Sequence, residues 1–211
     1  MPKIKMPKSS PSLDMTPMVD LAFLLVTFFM LTAQFRPEEA VAVDTPSSMS
    51  QSPIPTENMM TIIVDSADRV FWDFTDKKVR KAVIEAIALN HKLTLSPEQI
   101  TRFVNLNAIG VPINVLPQYL DLNSPTERKI VDKASKGIPI DSVNNQLLEW
   151  VRTTQLIFSS NAPKPTNPLV ALKGDGNVKY STMNKVIKIF QSPTVKINRF
   201  KMITDLEETR M

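Results

Sequence analysis

The segment that decides the fold is residues 15–35, which read MTPMVDLAFLLVTFFMLTAQF. Its 21 residues carry a single charged side chain, Asp20. Because an α-helix rises about 1.5 Å per residue, a helix of this length crosses the roughly 30 Å hydrocarbon core of a bilayer. Thr16 is a suitable N-cap and Pro17 a suitable first helical residue. The sequence therefore predicts one transmembrane helix over residues 15–35, preceded by a short tail, residues 1–14.

The charges on either side of this segment predict its orientation. Lys3, Lys5 and Lys8 precede it, whereas Arg36 is followed by acidic residues. An excess of Lys and Arg on the N-terminal side keeps that end in the cytoplasm, so the remainder of the chain is expected to be translocated. A cleaved signal peptide, with residues 40–42 as its A-x-A site, fits less well because the apolar run is long for such a leader. A buried helix of a soluble protein fits less well for the same reason.

A polar stripe runs along one face of the predicted helix. At 100° per residue, the side chains of Thr16, Asp20, Thr27 and Gln34 share that face. An aspartate at the centre of a membrane helix costs about 3 kcal/mol, and Asp20 lies about a third of the way in, where the cost is lower. Asp20 could reach the headgroups or favour the helix N-terminus through the dipole. Alternatively, its carboxyl group takes and releases protons at a helix interface, which requires a multi-spanning partner.

The composition excludes several classes of function. The chain has no Cys, one His and four Gly. Without Cys there are no disulfides, thiolate-bound zinc sites, iron–sulfur sites or thiol nucleophiles. No phosphate-binding glycine motif occurs, and a net charge of +4 over 211 residues does not indicate nucleic-acid binding. No nucleophile and base, and no set of metal ligands, stand in register, so we expect neither an enzyme nor a cofactor.

The rest of the chain alternates strand and helix patterns. A Pro- and Ser-rich linker is predicted over 36–58, followed by a hairpin of strands 59–64 and 69–74. A helix over 76–90 is expected to place its charged face in solvent, with Lys77, Lys78, Arg80, Lys81 and Glu85 on it. Further helices are predicted after capping boxes at 96–99 and 124–127, and from Asp141 onward. The C-terminal part is predicted as strand 168–173, turn 174–177, helix 181–191 and strand 194–204.

The entry into the apolar helix resembles the ExbD/TolR family. The stretch from Asp14 to Asp20, DMTPMVD, matches the family pattern TP-x-x-D at Thr16, Pro17 and Asp20. The resemblance implies a single-pass protein of the cell inner membrane with a periplasmic C-terminal domain. It also implies that Asp20 carries protons, and that an ExbB/TolQ-like pentamer encloses two copies of the helix. A TonB-like protein would receive the resulting motion.

Two further stretches support the resemblance. Residues 172–180, LKGDGNVKY, are similar to the family's turn into a helix, with Lys173, Asp175 and Tyr180 at the matching positions. Residues 43–46, VDTP, place Asp44 where relatives often read V-D-L-P just outside the membrane. The resemblance therefore implies that both stretches belong to the conserved part of an ExbD/TolR-like protein.

The expected architecture is α+β. A transmembrane helix precedes a periplasmic ExbD/TolR-like domain over 59–211, in which about 76–158 form a helical insertion. This insertion either decorates the family domain or forms a separate lobe, and we hypothesise that it is a docking surface. The expected function is proton-motive-force-coupled energy transduction for TonB-dependent outer-membrane transport. The alternatives are a TolR-like role in envelope integrity and a passive membrane-anchored binding module.

Overall fold

A computed structural model describes residues 15–32, 43–45, 47–48, 57–122, 124–141, 144–161, 167–203 and 205–206. The chain divides into two compact units, residues 1–38 and residues 39–211. The predicted N-terminal tail and most of the predicted linker fall outside the described residues.

The described part of the first unit is one helix, α1 (Thr16–Thr32). It begins at the predicted position, and none of its residues is buried. The hydroxyls of Thr27 and Thr32 donate to the carbonyls of Leu24 (2.9 Å) and Phe28 (2.8 Å), so both are satisfied within the helix. In the described part of the chain, no helix is both long and apolar enough to cross a membrane. Residues 33–35 of the predicted span lie outside that part, and the span remains a prediction.

The second unit is built on a mixed four-stranded sheet in the order β3-β2-β4-β5. Its strands are β2 (Met59–Val64), β3 (Val70–Phe74), β4 (Leu169–Gly174) and β5 (Lys201–Ile203). β2 pairs antiparallel with β3, and β4 pairs parallel with both β2 and β5. A separate parallel pair joins β1 (Ser47–Ser48) to β6 (Asp205–Leu206). The predicted hairpin and the predicted strand at 168–173 are confirmed.

The last predicted strand, 194–204, is much shorter than expected. A turn occupies its first half, where the amides of Val195 and Lys196 donate to the Ser192 carbonyl and Lys196 has a φ of 52°. This turn buries Val195 and Ile197 against the core. The predicted strand is therefore wrong over its first half, and regular pairing begins only at Lys201.

Seven α-helices are found among the described residues. Those of the second unit are α2 (Lys77–Asn90), α3 (Pro97–Asn105), α4 (Leu116–Asp121), α5 (Pro125–Ala134), α6 (Gln146–Asn161) and α7 (Tyr180–Phe190). The capping box of Ser96 and Gln99 is confirmed, whereas the Ser124 side chain makes no capping bond. The sequence patterns did not predict α4 or the 3₁₀ turn Ile113–Val115 before it.

The predicted helix start at Asp141 is wrong. Residues Ile140 and Asn145 form an isolated antiparallel bridge, and the amides of Gln146 and Leu147 both bond to the Pro139 carbonyl. The Gln146 and Leu147 amides are therefore already bonded to Pro139 and are not free to donate to carbonyls of an earlier helical turn. As a result, α6 begins at Gln146.

The helices between β3 and β4 belong to the same core as the sheet. Trp72 of β3, Phe103 of α3 and Trp150 of α6 are fully buried, and their ring centroids lie 4.9–6.2 Å apart. The 76–158 region is therefore packed on the four-stranded sheet and is not a separate lobe. It also covers the outer edge of β3, because Trp72 and Ile109 exchange two backbone hydrogen bonds of 2.8 Å. Covering an edge strand in this way prevents unwanted pairing with other chains.

The predicted solvent-exposed face of α2 is wrong at Arg80, which is only 4% exposed. Its guanidinium pairs with Asp73 and donates to the carbonyls of Phe103 (3.1 Å) and Asn107 (2.8 Å). Burial lowers the pKa of this guanidinium, and the Asp73 carboxylate opposes that shift. Arg80 thus joins β3, α2 and the loop after α3 from inside the core, a role that helical periodicity does not reveal.

The close packing of Gly110 against Phe71 provides a stability test. A Cβ on Gly110 would overlap the buried Phe71 ring, whereas a Cβ on Gly176 would come no closer than 3.8 Å to its nearest neighbour, the Asp44 carbonyl oxygen. Gly110→Ala is therefore expected to destabilise the fold by about 1–3 kcal/mol, a typical cost of overpacking. Thermal unfolding of the full chain measures this, with Gly176→Ala as the matched control. Equal melting temperatures for the two variants would contradict the packing described here.

Candidate functional site

The first candidate group is the polar stripe on α1. Since α1 is continuous, Thr16, Asp20 and Thr27 keep the helical spacing that places them on one face. Asp20 is exposed and makes no hydrogen bond or ion pair within the described residues. Pro17 occupies the first turn, and Asp14 and Gln34 lie outside the described residues. The large apolar side chains that surround Asp20 are also exposed, from 53% at Leu25 to 88% at Leu31.

The second candidate group is a turn that follows β4 and holds a distant piece of the chain. The amide of Asp44 donates to Oδ2 of Asp175 (3.1 Å), and the amide of Gly176 donates to the Asp44 carbonyl (2.9 Å). The first of these bonds joins residues 131 positions apart, and the second joins Asp44 to the next residue along. The structure thus brings together the two shorter family-like stretches, 43–46 and 172–180. We call this pair of contacts the Asp44–Asp175 clamp.

Local geometry holds Asp175 in place for this contact. Its own amide donates to the Val64 carbonyl (3.0 Å), which ties the turn to β2. Its Oδ1 accepts the Asn177 amide (2.9 Å) in an Asx-type turn. The amides of Asn177 and Asp44 lower the pKa of the Asp175 carboxyl, because they stabilise its ionised form. The carboxylate is consequently charged under physiological conditions and remains an acceptor for both amides.

A neighbouring ion pair, which sequence reasoning missed, fixes the start of α7. Asp68, in the β2–β3 turn with a φ of 60°, accepts the Lys179 amide (3.1 Å) and pairs with the Lys179 ammonium (3.2 Å). Burial raises the pKa of Asp68, but the contacts with Lys179 outweigh it and leave the pKa below its ordinary value. No local signal predicted this pair, because Asp68 and Lys179 are 111 residues apart.

The remaining family-like residues lie around the same turn. Lys173 is near the end of β4, in register with Ile63 of β2, and Tyr180 begins α7 with 79% of its surface exposed. Within the described residues, no group of three or more His, Cys, Asp or Glu side chains could hold a metal ion. The hydrogen bonds of Asp44 with Asp175 and Gly176 join residue 44 to the turn that follows β4, a central strand of the sheet.

The Asp44–Asp175 clamp can be tested by removing its carboxylate. Asp175→Ala deletes the acceptor for the Asp44 and Asn177 amides, so faster hydrogen exchange is expected around Asp44 with little change in the core strands. Hydrogen exchange with mass spectrometry on the full chain measures this, with Asp141→Ala, an exposed aspartate, as the control. Because folding lowers the pKa of Asp175, the contact is complete above the ordinary aspartate pKa and is lost as the pH falls through the lowered value. Unchanged exchange in Asp175→Ala would contradict the clamp.

Comparison with known proteins identifies a family. The family described as "Biopolymer transport protein ExbD/TolR" matches residues 6–204, which include α1, the sheet and all the helices packed on it. No match was found among curated proteins or among solved structures.

Proposed function

The chain belongs to the ExbD/TolR family of biopolymer transport proteins, and on that premise we propose that it is the proton-coupled subunit of an ExbB/ExbD-type inner-membrane motor. In this proposal the motor energises TonB-dependent transport across the outer membrane. The observation that carries the proposal is Asp20, a single carboxyl group on a helix whose other large side chains are apolar and exposed. The chain acts without enzymatic chemistry of its own.

The surface of α1 supports a location among lipids and partner helices. A helix that is apolar apart from one narrow polar stripe requires an apolar environment, and a bilayer or a bundle of other helices supplies one. We propose that residues 15–35 span the membrane with the N-terminus in the cytoplasm and the second unit in the periplasm. An ExbB/TolQ-like pentamer would surround two copies of this helix, so that Asp20 lies at a protein interface and not in lipid.

The proposed driving force is proton movement past Asp20. Each elementary charge that crosses the membrane field releases about 2.3 kcal/mol per 100 mV. A few protons therefore supply enough free energy to break several interfacial hydrogen bonds, each of which contributes about 1 kcal/mol. Alternate protonation of Asp20 would change its preferred position within the surrounding helices and so move α1.

The Asp44–Asp175 clamp is the proposed point at which this motion reaches the periplasmic unit. Asp44 lies a short way along the chain after α1, and its partner Asp175 is tied to β2 and β4. A displacement of the helix would pull on this attachment, and the sheet would pass the change to a TonB-like protein. In this proposal the TP-x-x-D entry carries the protons, and the two stretches that form the clamp transmit the resulting motion.

Reconstitution tests the proposed function directly. The chain is purified with its co-purifying multi-spanning partner and placed in liposomes that carry a pH gradient and a pH-sensitive dye. We expect the complex to dissipate the gradient, whereas liposomes with the chain alone or the partner alone should hold it. A complex that assembles but passes no protons would overturn the proposal and favour a passive membrane anchor.

A further inference from the structure

Three neighbouring concavities lie in the helical region of the second unit. These concavities, of about 580, 320 and 460 Å³, follow one another between α5, the loop before α6, α6 and α7. Ile140 and Asp141 line both the first and the second, and Asn145 and Leu148 line both the second and the third. We call these three joined concavities the insertion groove. Each concavity is open to solvent and shares lining residues with the next. One elongated ligand could therefore contact all three.

One end of the insertion groove is apolar. Its largest concavity is lined mainly by aliphatic side chains, including Val111, Val115, Ile130 and Ile138. Ile130 is 62% exposed and Val115 is 37% exposed, although both belong to helical turns with buried neighbours. Such side chains gain about 25 cal/mol for each Å² of apolar surface removed from water, so this end would hold an apolar anchor.

The other end of the insertion groove is basic. Lys185 and Lys188 of α7 line the second concavity, and Arg152 of α6 lines the third. All three are exposed, and none makes an ion pair within the described residues. Lys136 adds a further cation at the apolar end.

The acidic residues along the groove neutralise only part of this charge, because Asp141 and Glu149 stand against four cations, Lys136, Arg152, Lys185 and Lys188. Glu149 is engaged by His91, with Oε2 and Nε2 2.8 Å apart, and Asp68 is paired with Lys179. Asp141 alone among the lining acids of the described residues has no such pair. The groove therefore keeps a net positive charge, which would favour an acidic ligand over a neutral or basic one.

We propose that the insertion groove binds an extended acidic segment of a partner protein, with an apolar anchor between α5 and the 3₁₀ turn Ile113–Val115 and carboxylates against Lys185, Lys188 and Arg152. Charge complementarity selects this occupant, because an acidic segment matches the unpaired cations while its apolar side chains fill the other end. A lipid surface or a nucleic acid would leave the apolar end of the groove empty. The proposal concerns the second unit only and does not depend on the proposed function of α1.

Peptide selection on the full chain tests this proposal. A random library of 12-residue peptides displayed on phage is selected against the purified full-length protein in detergent. The enriched peptides should combine two or more acidic residues with a neighbouring aliphatic or aromatic residue. Their synthetic copies should bind at least about tenfold more weakly to Lys185→Glu/Lys188→Glu and to Ile130→Ser. Binding should also weaken as salt is raised, since the contacts are partly electrostatic.

Matched variants keep the test specific. Lys78→Glu/Arg199→Glu makes the same change in charge at exposed positions away from the groove, and Leu89→Ser removes an exposed apolar side chain of α2. Both controls should bind the peptides as the wild type does, and thermal unfolding verifies that every variant is folded. The proposal is overturned if no peptide is enriched, if the enriched peptides lack acidic residues, or if groove and control variants weaken binding equally. It is also overturned if the groove variants alter only self-association or only adhesion to anionic vesicles.

Discussion

Asp20→Asn is expected to abolish energised outer-membrane uptake while the chain still assembles with its membrane partner. Asparagine has nearly the size of aspartate and keeps a polar group on the stripe formed by Thr16, Asp20 and Thr27. It has no proton to release, so a mechanism that cycles protons through this position stops completely. The expected loss is therefore of activity and not of folding or assembly.

Two variants on the same helix sharpen this prediction. Asp20→Glu restores a carboxyl group on a longer side chain and should recover part of the activity. Thr27→Val removes a hydroxyl that already bonds within its own helix to the Leu24 carbonyl, so it should have a small effect. Growth on a nutrient that requires energised uptake, in cells that lack the native copy, measures activity, and co-purification measures assembly. Normal uptake with Asp20→Asn would overturn the proton-carrying role.

Arg80→Met is expected to produce the largest loss of stability. The Arg80 side chain is 5% exposed, while that of its partner Asp73 is 32% exposed. Its removal would leave the Phe103 and Asn107 carbonyls without their donor and Asp73 without its cation. Removing one partner of a buried ion pair costs about 3–5 kcal/mol of unfolding free energy. Because Asp73 is partly hydrated, we expect a loss at the lower end, about 3 kcal/mol. For a chain of this size that corresponds to a fall in melting temperature of roughly 6–12 °C.

Conservative variants separate the charge of Arg80 from its geometry. Arg80→Lys keeps the positive charge, but a lysine ammonium lacks the planar group that bonds Asp73 and two carbonyls at once. The stability of this variant should therefore lie between those of the wild type and Arg80→Met. Lys78→Met, on the exposed face of the same helix, should change the melting temperature little. Thermal unfolding of the full-length protein in detergent compares the three variants. A melting temperature for Arg80→Met within about 2 °C of wild type would show that the buried network contributes little.

Much of the secondary structure was predictable because its signals are local. The hairpin of β2 and β3, the start of α2 after Asp76 and the capping box of Ser96 and Gln99 depend on residues a few positions apart. At Ser124 the helix start was predicted correctly although the capping bond is missing, whereas the same reasoning failed at Asp141 and over most of the last strand. In both cases a local turn took the backbone groups that a regular element would have used, and its apolar side chains are buried against the core.

The candidate site was predictable in its parts but not in its assembly. Residue identity and spacing placed Asp20 on a polar face, and family-like patterns marked the stretches around Asp44 and Asp175. Neither pattern predicted that these stretches hydrogen-bond to each other, because the contact spans 131 residues. The Asp68–Lys179 pair and the insertion groove were missed for the same reason: each is formed by elements far apart in the chain.

Composition and short-range periodicity were enough to establish the N-terminal apolar helix with its one carboxyl group and the mixture of helices and strands, whereas the family was indicated by the resemblance of short motifs. Three features became visible only in the folded chain: the helices of 76–158 complete the core, Arg80 lies inside it, and Asp44 bonds to Asp175. The physical reason is that burial and pairing depend on which surfaces meet. A charged side chain on a helix is solvated or buried according to its neighbours in space, and for Arg80 those neighbours are Asp73, Phe103 and Asn107.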